Sequence, residues 1–207
     1  VFGTVALALF FTTTAQAFVF DVWKSGMKVN SAIETGKHKG VAIEPETGSF
    51  SFFGDKKSEK PAIKAEYTGS MQLMGYDTKL LFSFTPESRL LHSLRVTLVL
   101  PMSSDKADME VLADSISKQL DIKYKEHGTP SVDGFIGQIV DKVRNIGRRS
   151  WAGKGDMVTM ESNWKMVGGE VIIMYEDEKL AETAKSEDRR IREKRLDQVG
   201  GGDKNKF

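Results

Sequence analysis

The sequence contains no cysteine. That excludes a disulfide framework and any thiolate metal centre. It also excludes a lipidated cysteine, so the chain is expected to be held together by packing alone and to carry no lipid anchor. Histidine is scarce: His38, His92 and His127 are the three in 207 residues, and they lie far apart. No H-E-x-x-H pair sets two imidazoles on one helical face, so nothing points to a metal. An excess of one charge is missing too, since 30 basic and 29 acidic residues leave +1 at pH 7. No global field would draw such a chain to nucleic acid or to an anionic membrane. There is no G-x-S-x-G elbow, no Walker loop and no G-x-G-x-x-G fingerprint. Gly153-Lys154-Gly155-Asp156 has neither the spacing nor the preceding strand, and reads as a turn.

A membrane-length apolar run is also lacking. The chain opens VFGTVALALFFTTTAQA, in which the strongly apolar part ends at Phe11 and three threonines follow. A spanning helix needs roughly 20 mostly apolar residues. A secretory signal needs about 7–15, followed by an A-x-A-like cleavage site, which Ala15-Gln16-Ala17 supplies. Residues 1–17 are therefore expected to be a signal peptide, cleaved after Ala17 to leave Phe18 first. This reading takes a few residues, with the missing basic n-region, to precede Val1. Residues 18–176 would form an α+β domain, and 177–207 a charged helix with a disordered tail. The working protein is expected in the periplasm or outside the cell, with no stable membrane anchor.

What is present is a legible order of elements. A short helix is expected from Ser25-Gly26 to just before Gly40, then a short strand over Val41 to Ile43. The cluster Phe50, Phe52, Phe53 sits in a polar, Gly- and Pro-punctuated stretch and is expected to tuck back onto the core. Tyr67, Met71 and Leu73 alternate, as do Leu80, Phe82 and Phe84. In RLLHSLRVTLVL, Leu90, His92, Leu94, Val96, Leu98 and Leu100 share one face and Ser93, Arg95 and Thr97 the other. Such alternation argues an antiparallel sheet with one wet side. Met109, Leu112, Ile116, Leu120 and Tyr124 form the stripe of an amphipathic helix, capped by Ser103 or Ser104 and stopped by Gly128 and Pro130. Helical spacing returns over Asp133 to Ile146. A second hairpin follows over Asp156 to Trp164 and Glu170 to Tyr175. The fold class is thus α+β: an antiparallel sheet of two hairpins packed against helices, arranged as two α-plus-hairpin halves.

Chemistry is harder to find. His92 reads as a core-edge histidine. Basic residues gather in DKVRNIGRRSWAGKG, with Trp151 among them. In an exported protein such a stretch is either a solvated loop anchored by Trp151 or a surface for anionic lipid head groups, glycan phosphates or an acidic partner. Arg148, Arg149, Trp151 and Trp164 are the candidate partner-binding residues. The methionines near the strands read as core filling. No catalytic residue, metal or cofactor is assigned.

The segments FDVWKSGMKVNSAIETGKHKG and KYKEHGTPS, and the final hairpin opening with Trp151, resemble motifs of small periplasmic α+β proteins of unknown function. More distantly the chain is similar to the SmpA/OmlA outer-membrane assembly lipoproteins and to the repeat of the β-lactamase inhibitor protein. The likeness spans Phe20 to Tyr175. It departs in lacking a lipidation cysteine and a Leu-Gly-x-Pro turn after the first helix. It implies a helical layer on an antiparallel sheet and a role in binding other proteins, without catalytic residues. The leading expectation is an exported, soluble, non-catalytic envelope protein that binds a protein partner or ligand. The alternatives are an envelope-polymer hydrolase with a dispersed active site, or a structural accessory docking through its C-terminal helix.

Overall fold

The computed structural model describes residues 18–46, 65–128, 146–165 and 168–200. The expected signal segment, the Phe50–Phe53 cluster and most of the helix expected over Asp133 to Ile146 lie outside the described residues. The elements run β1 (Val19–Phe20), β2 (Trp23–Lys24), α1 (Val29–His38), β3 (Glu44–Pro45), β4 (Glu66–Leu73), β5 (Tyr76–Phe84) and β6 (Leu91–Val99). They continue with α2 (Lys106–Lys123), β7 (Lys125–Gly128), β8 (Ile146–Ala152), β9 (Asp156–Trp164), β10 (Gly169–Asp177) and the last helix, α3 (Glu178–Gly200). β1 and β2 form a small ribbon, and the other eight strands make one sheet in the order β3-β4-β5-β6-β10-β9-β8-β7. Every pairing in it is antiparallel.

That order has a simple meaning. α1 is followed by one four-strand meander and α2 by another, and the two meanders meet where β6 pairs with β10. The α+β plan with two halves holds, and each half is a helix plus four strands rather than a helix plus a hairpin. The extra strands come from stretches read otherwise. Lys125–Gly128 was expected to be the end of a helix and is a strand. The basic segment around Arg148 was expected as a loop and is β8, because Gly147, Arg149 and Trp151 alternate with Ile146, Arg148 and Ser150. Val41 and Ile43 are buried but lie ahead of the short edge strand β3. They pack there because Gly36 of α1 has no side chain: a Cβ at Gly36 would sit 2.7 Å from Ile43 Cδ1.

α1 and α2 cover the same face of the sheet. Trp23 stands edge-on to Phe82 at 5.3 Å and donates Nε1–H to the Ala32 carbonyl of α1 at 3.2 Å. α2 buries Met109, Leu112, Ala113, Ile116 and Leu120, each larger side chain contributing roughly 1.5–3 kcal/mol by leaving water. Its cap is Asp105, not a serine. Asp105 accepts from the Asp108 N–H at 2.9 Å and Asp108 from the Asp105 N–H at 3.0 Å, a reciprocal pair that satisfies two otherwise orphaned donors. Beneath the helices lie Leu80, Phe82, Leu94, Val96, Leu98, Val158, Met160, Val171 and Ile173.

The alternation in β6 is interrupted once. Ser83 pairs with Ser93 but Phe84 pairs with Leu91, leaving His92 as the extra residue of a bulge. Leu91 and Leu94 are consequently both fully buried, although they are three apart. His92 drops out of the apolar row in which strict alternation placed it.

Candidate functional site

The second face of the sheet is the wet one. Register places its side chains in rows across the strands. One row runs Glu44, Thr68, Leu81, Arg95, Met174, Thr159. The next runs Ser70, Lys79, Thr97, Ile172, Glu161, Arg148. Lys79 and Arg95 are exposed, while Leu81, Thr97, Ile172 and Met174 are half-buried. The first half of α3 lies against one end of this face. The remainder is bare of helix among the described residues.

On the first half of this face is an open groove of about 560 Å³. β3 and its flanks form one wall with Ala42, Glu44 and Glu46. Thr68, Ser70, Lys79, Leu81, Arg95 and Thr97 form the floor. Glu46 is held there by its N–H, which donates to the Glu66 carbonyl at 3.0 Å. The two carboxyl groups also meet. Burial pushes the Glu66 pKa up, and a hydrogen bond to the Glu46 carboxyl and its charge push the same way, against the pull of Arg95. Lys79, Arg95 and Glu44 have no ion-pair partner among the described residues. The groove thus offers charges of both signs, three hydroxyls and one leucine. No cluster of three potential metal ligands occurs among the described residues.

The four residues expected to bind a partner do not form one patch. Alternation along β8 sends Arg148 to the open face, where it pairs with Glu161 at 3.0 Å. Arg149 and Trp151 point to the helix-covered face, as does Trp164 on β9. Trp151 is 0% exposed and donates Nε1–H to Asp121 at 2.7 Å. It fastens α2 to the sheet and is unavailable to a partner. Trp164 is half-buried and packs against the core. Arg149 remains exposed beside Asp114 in a small cleft between α2 and β8.

Three further polar groups, at two places, are buried without partners among the described residues. His92 Nδ1 faces a cavity under α3 lined by Glu66, Glu176, Lys185 and Asp188, and burial lowers its pKa while Asp177 opposes the shift. Asp156 Oδ2 and Tyr124 Oη are the second case, near the end of the covered face. Burial, and then the charge of Asp156, push Tyr124 up to about 12. Tyr175 is raised by burial and by Tyr124.

The groove was only half visible in the sequence. Alternation put Arg95 and Thr97 on the wet side. The acidic wall depends on where β3 is laid beside β4, which no local pattern reveals. No helix among the described residues is long and apolar enough to cross a membrane. Compared with protein-family models, with curated proteins and with solved structures, the chain matches none.

Proposed function

We propose that the protein is an exported, soluble, non-catalytic binding protein of the cell envelope that holds a partner or ligand on the open face of its sheet. The observation that carries this reading is the groove floor, where Lys79 and Arg95 stand exposed and without ion-pair partners among the described residues. A folded surface that needed these charges only for solubility would have no reason to concentrate them in a concavity. The near-neutral charge speaks against nucleic acid as the partner. The hydrolase reading is weaker. Glycoside hydrolysis sets its two carboxyl groups about 5–9.5 Å apart to admit sugar or water, whereas Glu46 and Glu66 are directly hydrogen-bonded.

Photo-cross-linking in the envelope tests the reading. A photoreactive residue is placed at Thr97 in the groove, at Lys118 on the outer side of α2, or at Leu196, which is 71% exposed near the end of α3. Adducts from position 97 are expected, with none from 118. Adducts only from 118 would overturn the proposal. Adducts only from 196 would replace it with docking through the C-terminal helix.

A further inference from the structure

The proposed binding role says nothing about the ligand, but the layout of the groove does. Glu44 and Arg95 lie on one row of the sheet, with Thr68 and Leu81 between them. Strands are spaced about 4.8 Å apart, so the two backbones are about 14 Å apart across three such steps. Strand side chains stand roughly perpendicular to the sheet, so the charged ends stay on the order of 14 Å apart, and a charge-assisted hydrogen bond of about 2.8 Å at each end leaves roughly 8 Å for the ligand. Lys79 is one row along, on the neighbouring strand, and places a second cation near Arg95. Glu46 places a second carboxyl group near Glu44. One end of the groove is therefore anionic and the other cationic, across a fixed gap.

A ligand that satisfies both ends must itself carry both charges. A free amino acid is too short, because its ammonium and carboxylate belong to one residue and the chain gains only about 3.3–3.6 Å per further residue. Two or three residues bridge the gap. The floor suits the body of such a ligand. Thr68, Ser70 and Thr97 offer hydroxyls that both donate and accept, as peptide groups require, and Leu81 offers an apolar contact. A volume of about 560 Å³ accommodates a ligand of that size.

We propose that this groove binds a short peptide of two or three residues by its two free termini, the ammonium on Glu44 and Glu46 and the carboxylate on Arg95 and Lys79. The inference rests on the open-face binding role above. The Glu46 carboxyl also meets that of Glu66, so Glu44 is the main contact at the ammonium end. The carboxylate end has two cations, and Glu66 attracts Arg95 from beside the groove.

Trialanine is the probe, titrated into the full chain while backbone amide resonances are followed by NMR. Saturable shifts are expected at Thr68, Leu81 and Thr97. N-acetylation or C-amidation of the peptide should each weaken binding at least tenfold, as should replacing it by alanine. Glu44→Gln should abolish the preference for a free amine, and Lys79→Gln with Arg95→Gln the preference for a free carboxylate. Unchanged resonances away from the groove will show that these surface variants remain folded. Absence of saturable shifts, or equal binding of the doubly blocked peptide, would overturn the ligand class. Cross-linking from position 97 does not depend on this outcome. Adducts there without peptide binding would leave the surface standing and remove only the peptide.

Discussion

Asp156 is the residue whose environment is most at odds with its chemistry. It is 3% exposed, its Oδ2 has no partner among the described residues, and it packs so closely on Gly153 that a side chain there would overlap it. Burial raises its pKa, and the charges of Asp177 and Glu178 add to the effect against Lys123 and a backbone hydrogen bond. A carboxyl group whose folded-state pKa lies above its unfolded value contributes stability that is complete below the unfolded value. That contribution is lost as pH rises through the folded one. Asp156→Asn should therefore raise the stability of the protein at pH 7. It should also flatten the decline in stability between pH 4 and 7. Urea midpoints at both pH values check this, and a variant less stable at pH 7 with an unchanged profile would contradict it. Nothing in the sequence distinguishes Asp156 from its exposed neighbours. The burial arises because Asp156 opens β9 directly opposite Asp177, which takes up the cap of α3 by accepting from the Leu180 N–H at 3.0 Å.

Among the elements, α3 shows how a charge-rich helix can be fixed in place by few contacts. Its stripe of apolar residues is thin, and the stretch from Arg192 to Asp197 is exposed. Glu187, 4% exposed, does the fastening. Its carboxylate accepts from the Glu87 N–H at 2.7 Å, the Ser88 N–H at 3.2 Å and the Ser88 hydroxyl at 2.8 Å. Arg190 adds an ion pair to Glu87 at 2.9 Å. Burial alone would raise the Glu187 pKa, but the hydrogen bonds outweigh it and hold it low. Its stabilisation is present above the ordinary glutamate range and is lost as pH falls through the folded-state value. Glu187→Gln should loosen α3 by about 1.5–3 kcal/mol, the range for hydrogen bonds to a charged group. Faster amide exchange over 178–200 with the strands still protected is the expected result. An unchanged exchange pattern would show that the helix is held by other contacts. α2 was legible beforehand because a long stripe of buried residues repeats at helical spacing. The role of Glu187 was not, because its partners lie about a hundred residues away and it sits among several other acids. β8 was missed for a related reason: its arginines and tryptophan drew attention to charge and away from alternation.

At the scale of the whole molecule, the two meanders share one core. Leu94, Val96 and Leu98 of β6 stand directly opposite Tyr175, Ile173 and Val171 of β10, all buried. Neither half can lose its central strand without exposing the other's. Unfolding should accordingly be a single transition. Trp23 lies in the first half and Trp151 in the second, both fully buried. A Trp151→Phe, Trp164→Phe chain reports the first half by fluorescence, and a Trp23→Phe chain the second. In each, the urea curve should coincide with that from far-UV circular dichroism of the same chain. Two separated transitions would show the halves to be independent. The meeting of β6 and β10 has one more consequence, for how such a molecule can come to exist. A half chain ending in β6 would leave that strand as a bare edge, and an antiparallel copy of itself would fill it. Two copies of an ancestor could pair in that way, and joining them end to start would make the pairing permanent. Once joined, the copies are free to drift apart. On the open face the central strand of one half carries Arg95 and Thr97, while that of the other carries Ile172 and Met174. A duplication of that kind would leave one copy free to specialise while the other kept the shape.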